Sequence, residues 1–595
     1  MLFFSFIKGK IMKIFSRIGW FIKEEKWSYI IGITSLGIIA FLDLIPPRIM
    51  GNIIDAMISK ELTKTTLLLN IGSLILIALF VYGARYLWRV YIFGTSFRLE
   101  RKMRLRLFEH FTKMSPNFFQ DFRTGDLMAH ATNDIKAIQR VAGNGVLQFA
   151  DALLTGTFVL LAMIFTISWK MTLFALLPMP IMIIGARILG KKLHKAFSES
   201  QASFSGLNNK IHESISGIKV TKTFGQENEE IKSFKEETEN VYQKYMTVTK
   251  YDTLFNPLVM TVITLSYVLI LIVGIILIKN GELTTGKLST FVSYVHILIW
   301  PMMAIGFLFN TIERGNASFD RIEKLLEIEE DIVNFDKVSL DSFKGELHFN
   351  IESFSYPDVS EIALKSIQFD LKEGQTLGIV GKTGSGKSTL IKLLLREYDD
   401  YKGSIYYDEK NIKDINLHHL RQALAYVPQD NFLFSLSILD NIRFGNPKAS
   451  LEEVIEAAKI AGVHDDIMEF DLGYDTMMGE RGVSLSGGQR QRVSIARALL
   501  MHANILILDD SLSAVDAKTE AAILKSLKEK RQNMTNIILA HRLSALKHAD
   551  LILVLDDGEI IERGNHESLI KENGWYAMIY NQQEFEKGTQ DGKNA

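Results

Sequence analysis

The chain of 595 residues contains no cysteine. Disulfides and thiolate metal sites are therefore excluded, although this alone does not fix a compartment. It also lacks an excess of either charge: 67 Lys and Arg stand against 68 Asp and Glu, so nothing in the balance argues for nucleic acid. The N-terminal MLFFSFIKGKIMKIF is apolar and basic but carries no small-residue cleavage site of a secretory signal. What the chain has is apolar residues, 47%, beside 23% charged ones, and the two are unevenly spread. Long apolar runs fill the chain up to about residue 325 and are missing after about residue 340. A membrane part joined to a water-soluble part is expected.

Six runs reach the roughly 20 residues needed to cross about 30 Å of hydrocarbon. They lie near 28–50, 67–93, 146–168, 171–189, 258–278 and 288–309, the first carrying Pro46-Pro47 and the fourth broken by Pro178 and Pro180. Residues 12–27, mixing aromatics and lysines, read as an interfacial helix within an N-terminal segment 1–27. Arg98–Arg140 holds nine Lys/Arg and Arg187–Lys250 eleven, against two, one and two in 51–66, 168–170 and 279–287. That asymmetry predicts both termini on the cytosolic side of the cell membrane. The two basic segments have helical periodicity and few breakers, so the spans are expected to continue into the cytosol as long helices. Asp43, Asp151, His296 and Asn256 fall inside spans. Intramembrane ionisable groups are functional candidates, but a place near a membrane edge or pairing with a neighbouring helix is the favoured reading for Asp43 and Asp151. His296 and Phe307 are candidates for lining a cavity.

The soluble half is organised around Gly381–Thr389, GKTGSGKST, which fits G-x-x-x-x-G-K-[ST]. The apolar run before it reads as a buried strand and LIKLLL after it as a helix, the context a phosphate loop requires. Amides of a glycine-rich loop can turn inward around an anion, and the helix N-terminus adds positive dipole. Lys387 would then reach the β- and γ-phosphates and Ser388 would ligate Mg2+. Further on, AYVPQ ends a strand at Gln429, and LSGGQ sets Ser486, Gly487 and Gly488 at a second helix N-terminus with free amides. NILILDD ends a buried strand at Asp509, placed to hold Mg2+ through water, and TNIILAHR ends another at His541. Tyr356, before a proline turn, could stack on a purine.

In this order, these residues resemble the ABC transporter superfamily. Tyr356 is similar to its A-loop aromatic, and Gly381, Lys382, Thr383, Gly384, Ser385, Gly386, Lys387, Ser388 and Thr389 to its Walker A motif. Gln429 is similar to its Q-loop, Leu485–Gln489 to its signature, Ile505–Asp509 to its Walker B, Ser513–Asp516 to its D-loop and His541 to its switch histidine. Gly479–Gly482 resembles the X-loop typical of exporters. The resemblance implies a polytopic α-helical membrane domain of six spans with long cytosolic extensions, fused to an α/β P-loop ATPase domain of ABC type. The segments are then 1–27 elbow helix, 28–325 membrane domain, 326–344 linker, 345–580 nucleotide domain and 581–595 a loose polar tail. It implies MgATP held by the Walker residues, with Ser388, Gln429 and Asp509 at the metal, and Asp510, His541 and Gln429 at the chemistry. Ser486, Gly487, Gly488, Gln489 and Asp516 would complete the site of a second subunit. Pro116–Arg123 and Ile211–Lys219 look like coupling helices.

One residue departs from the pattern. The family usually carries Glu after the Walker B Asp, and this chain has Asp510, in LDDSLSAVD. A carboxylate drawn back by roughly 1–1.5 Å loses the reach a base needs. Such an Asp is familiar in one subunit of heterodimeric bacterial multidrug exporters. The resemblance therefore implies a partner half-transporter that brings the Glu, with membrane lipid and an amphipathic small molecule as the other partners and no nucleic acid. A homodimeric lipid or drug flippase with Asp510 as a working base, and an ATP-clamped channel or sensor subunit, are the alternative readings.

Overall fold

The computed structural model describes residues 13–332, 344–357, 359–479, 485–530 and 534–594. Residues 1–12 of the expected elbow helix, most of the linker and residues 480–482 of the X-loop resemblance lie outside them. The chain forms two compact units, one of Met1–His110 with Gly125–Glu327 and one of Phe111–Thr124 with Ile328–Ala595.

The first unit is all helix. Among the described residues, five helices are long and apolar enough to cross a membrane: Lys26–Ile58, Lys64–Lys113, Thr124–Ile167, Glu227–Lys279 and Thr285–Leu326. Four of them run for 42 to 53 residues, well beyond a bilayer's need, as the periodicity of the basic segments predicts. The fourth expected crossing, 171–189, does not reach this standard. It is split into Trp169–Leu176 and Met179–Ser216, and its apolar stretch ends at Met182. Pro178 caps the second piece and Pro180 sits in its first turn, where the missing N–H costs nothing. The Pro46-Pro47 pair likewise starts a new helical piece, Ile45–Ile58, after a break at Asp43–Leu44.

Intramembrane polar groups are paired as expected. Asp43 lies 3.7 Å from Arg85, and Asp151 accepts from the indole of Trp300 at 2.9 Å and from Thr155 at 2.9 Å. Toward the other end of the long helices, buried Asp134 accepts from Ser318 at 2.8 Å and is gripped by Arg321, which holds its carboxyl below the ordinary range against the opposing effect of burial.

The second unit carries two sheets. An antiparallel one has the order β2-β1-β4-β5, with β1 at Leu347–Phe354 and β2 at Leu364–Leu371; β4 is Lys402–Tyr407 and β5 Lys410–Asn411. The other has the order β10-β9-β3-β8-β7-β6, with β3 at Thr376–Gly381, β6 at Leu424–Val427 and β7 at Ile505–Asp509. It is completed by β8 at Thr535–Leu539, β9 at Leu551–Asp556 and β10 at Glu559–Gly564. Its strands β3, β6, β7, β8 and β9 are parallel, and only β10 runs antiparallel. Parallel strands covered on both faces need continuous apolar runs, and every residue of β7 is buried. The strand order sets the carboxyl ends of β3, β7 and β8 side by side, where ligands of such sheets bind.

Two local outcomes differ from expectation. The stretch from residue 581, read as a loose tail, continues a helix, Trp575–Asn594. Gln583 on that helix accepts from Leu543 N and donates to His541 O, both at 2.9 Å, so the helix is tied to the loop after β8. Of the two expected cytosolic tips, Phe118–Asp121 is a short helix inside the second unit, with Phe118 buried against Phe122 at 4.7 Å. The other, in the first unit, is a break at Gly217 between helices ending at Ser216 and starting at Ile218.

Candidate nucleotide site

A cavity of about 430 Å³ opens where β3, β7 and β8 end. The chain passes from β3 into the helix Lys387–Leu394 through a loop whose glycines are required by geometry. Gly384 and Gly386 have φ of 83° and 97°, a region that side-chain-bearing residues avoid. At Gly381 a Cβ would meet the carbonyl oxygen of Leu555 at 2.1 Å, so the loop could not lie against β9 with any other residue. Thr383 to Thr389 line the cavity, together with Tyr356, Gln429, Asp509, Asp510 and His541. Lys382 is at its edge and forms an ion pair with Asp556 at 3.0 Å.

Lys387 is 9% exposed, and its ammonium donates to the carbonyls of Gly381 and Lys382 at 2.9 and 2.8 Å. Burial pulls its pKa below the usual lysine value, while Asp509 and Asp510 oppose that pull. Ser388 donates to Asp509 at 3.3 Å, and Asp509 accepts a second bond from the Tyr426 hydroxyl at 3.2 Å. Burial raises the Asp509 carboxyl and these two donors lower it. Asp510 adopts φ 45°, a left-handed conformation that Asp tolerates better than most residues, and accepts from Gln429 at 3.4 Å. Ser385 Oγ is buried in the loop with no hydrogen-bond partner among the described residues, which marks a polar group awaiting one. Tyr356 shares a hydrogen bond of 2.9 Å with Thr389, with Lys392 5.6 Å from its ring centre.

The signature residues stand apart from this cavity. Ser486 caps the helix Gly487–Leu499 by accepting from Gln489 N at 3.2 Å, and Gln489 Oε1 accepts from Ser486 N at 3.0 Å. The S-x-x-Q spacing is that of a capping box and is readable in the sequence. Gln489 also donates to Asp466 at 3.0 Å. Asp516 serves its own helix, accepting from Lys518 N and Thr519 N at 3.1 and 3.0 Å. Gln491 joins the two segments: it is 6% exposed, and its Oε1 accepts from Ala514 N at 3.0 Å. Within one chain, then, the phosphate loop and the signature helix do not form one pocket.

Three contributors escaped the sequence reading: Tyr426, Gln491 and Tyr398. The Tyr398 ring lies edge-on to Tyr356 at 5.3 Å, and its hydroxyl accepts from Gln120 at 3.4 Å. No motif marks it; it is a tyrosine among many until the fold brings residues 111–124 beside it.

Two sequence profiles cover most of the chain: one for the ABC transporter transmembrane region matches residues 29–302, and one for the ABC transporter matches 364–513. The multidrug resistance-like ATP-binding protein MdlA of Buchnera aphidicola subsp. Schizaphis graminum is 43% identical, over 97% of this chain and 99% of that protein. The chain belongs to the ABC transporter family. This ABC transporter is also 35% identical to an ATP-dependent lipid A-core flippase of Desulfotalea psychrophila, over 87% of the chain and 91% of the flippase. Among solved structures, a bacterial Atm1-family ABC exporter with ATP bound superposes with a TM-score of 0.77 at 26% identity, covering 95% of this chain and 98% of that one. The chain is thus a membrane-embedded, ATP-hydrolysing ABC transporter of the exporter type.

A second cavity, of about 850 Å³, lies within the helical unit. Phe307 lines it, as the sequence reading has it, and His296 does not. The lining positions of the helix Thr285–Leu326 include Val295, Ile299, Met302, Gly306, Asn310 and Glu313, one face at helical spacing, and His296 falls off that face.

Proposed function

We propose that this chain is one subunit of a heterodimeric multidrug exporter whose own nucleotide site turns over slowly. ATP would bind against Tyr356 and the loop from Gly381 to Thr389. Lys387 would leave its two carbonyls for the phosphates, and Ser385 would gain the partner it lacks. Ser388 and Asp509 are hard oxygen donors 3.3 Å apart, a set that fits Mg2+, which takes one or two protein ligands beside phosphate oxygens. Among the described residues no larger acidic or histidine cluster offers a metal a cage. Bound there, Mg2+ would neutralise charge on the phosphates. Gln429 would face that ion, and His541 would stand beside the reacting phosphate.

The observation that carries the reading is Asp510. It occupies the position where the family has its Glu, one methylene short and held by Gln429. Misplacement of a base by about 1 Å costs on the order of a hundredfold in rate, while the residues that bind ATP are intact. The intact LSGGQ, with Ser486, Gly487, Gly488 and Gln489 remote from this chain's own phosphate loop, supports donation to a partner's site, with Asp516 beside it. Closure of paired nucleotide domains would move the spans through the tips at Pro116–Arg123 and Ile211–Lys219, with both termini in the cytosol. The substrate class is a membrane-borne amphipathic small molecule, in keeping with the multidrug names of its relatives. The test is ATPase activity of this chain alone and with a co-expressed partner half-transporter. Activity appearing only with the partner is expected; brisk hydrolysis by the chain alone, unchanged in Asp510→Ala, overturns the reading. The similarity to a lipid A-core flippase favours a second reading, a homodimeric flippase, which the stoichiometry of purified particles separates from the first.

A further inference from the structure

Strand β8 delivers His541 to the nucleotide cavity, but the ladder stops before it. Leu539 O accepts from Asp510 N at 3.0 Å, and Ala540 N donates to Ile379 O at 3.3 Å. His541 and Arg542 then pass through a bend that precedes the short turn Leu543–Leu546. His541 is exposed and lines the cavity. A side chain on irregular backbone is only as well placed as the peptide groups on either side of it. Here one residue, some 40 positions further along, holds both. The half-buried carboxamide of Gln583 donates to His541 O and accepts from Leu543 N, each at 2.9 Å. A primary amide offers a donor and an acceptor in one plane. Gln583 thereby does for the bend what a neighbouring strand does for β8.

The amide is itself firmly mounted. Its helix, Trp575–Asn594, begins by donating from Trp575 N, and from Tyr576 N at 3.1 Å, to the carboxylate of Glu562 on β10. Such a carboxylate satisfies amides that a helix start leaves open. Tyr576 is fully buried, with its hydroxyl 2.9 Å from His566 Nδ1. Gln583 follows Tyr576 by about two turns and so shares its face. From the other side, Arg542 donates to the carbonyl of Val515 at 3.0 Å, next to Asp516. The bend that carries His541 is braced between the C-terminal helix and the segment leading to Asp516.

We propose that Gln583 is a positioning residue for the nucleotide site. It fixes the backbone around His541 so that the imidazole meets the terminal phosphate of ATP. The proposal rests on the reading that sets His541 beside the reacting phosphate, and it deepens that reading by naming what holds the imidazole there. Discrimination of ATP from ADP in this chain then depends on a helix that touches neither.

The test is equilibrium binding of AMP-PNP, whose terminal phosphate is not cleaved, and of ADP, both with Mg2+, to the full-length chain in nanodiscs. His541→Ala sets the scale. Losing a hydrogen bond to a charged phosphate is expected to cut the preference for AMP-PNP over ADP about tenfold. Gln583→Ala is expected to cut it at least about threefold, with ADP affinity within about twofold of the parent, which shows the site folded. Gln583→Glu keeps the size of the side chain but sets a carboxylate oxygen against His541 O, so it should behave as Gln583→Ala does. A packing role alone would leave Gln583→Glu like the parent. In His541→Ala, adding Gln583→Ala should change nothing further, since the two act through one contact. A preference unmoved by Gln583→Ala, a parent-like Gln583→Glu, ADP binding lost in both, or losses that add in the double variant overturn the proposal while the role of His541 stands. A preference unmoved by His541→Ala overturns that role and the proposal with it.

Discussion

The two cavities are built on opposite principles. The smaller is made by strand ends and a glycine-rich loop, so its chemistry sits in consecutive residues: Gly381 to Thr389, then Asp509 and Asp510. The larger is made by side chains from helices far apart in sequence, such as those of Met182, Asp252 and Phe307. The first is rigid in composition, because a Cβ at Gly381 would strike a carbonyl and Gly386 needs its left-handed backbone. The second tolerates change, since flexible methionines can refill space.

The sharpest way to break the comparison is to disable one cavity and watch the other. Lys387→Ala removes the buried ammonium of the loop and is expected to weaken ATP binding by this chain at least about tenfold. Binding of a membrane-borne amphipathic small molecule without nucleotide should be unchanged, and a parallel loss would show that the two sites are not independent. A smaller effect is expected at Tyr426. Tyr426→Phe removes the 3.2 Å bond to Asp509. A hydrogen bond to a charged group contributes about 1.5–3 kcal/mol, so the Mg2+ concentration needed for nucleotide binding should rise about tenfold. Metal-free nucleotide binding should hold. Titration of a fluorescent ATP analogue with Mg2+ reads this, and an unchanged metal requirement would reduce Tyr426 to packing. The smallest effect is expected at Gln120. Gln120→Ala removes the donor to Tyr398, whose ring abuts Tyr356. Basal ATPase should stay level while stimulation by a transported amphipathic substrate falls about threefold, the scale of one neutral hydrogen bond. A matching fall in basal rate would argue against a role in coupling.

The same contrast explains what the sequence made legible. Phosphate-loop chemistry is local, so Gly384, Lys387, Ser388, Asp509 and His541 could be read from spacing, and the structure gathers them in one cavity. Tyr426 and Gln491 act across strands and helices and carry no spacing signal. The cavity-lining face of the last span was half legible: Phe307 lies on it and His296 does not, because helical phase near Pro301 depends on where packing sets the helix. The fourth crossing shows the same limit. Pro178 and Pro180 were visible as breakers, but only the fold shows that the helix restarts there and runs to Ser216. The stretch from residue 581 looked loose because its sequence is polar, and the anchor of its helix, Gln583, points at backbone atoms of a distant loop.

The central claim is that Asp510 makes this chain's own site slow. Its most direct test is the ATPase rate of the purified chain, without partner, as the single variant Asp510→Glu. Restoring the methylene should raise the rate on the order of a hundredfold over the parent, with ATP affinity held within about twofold. An unchanged rate, or a parent already as fast as the variant, would contradict it.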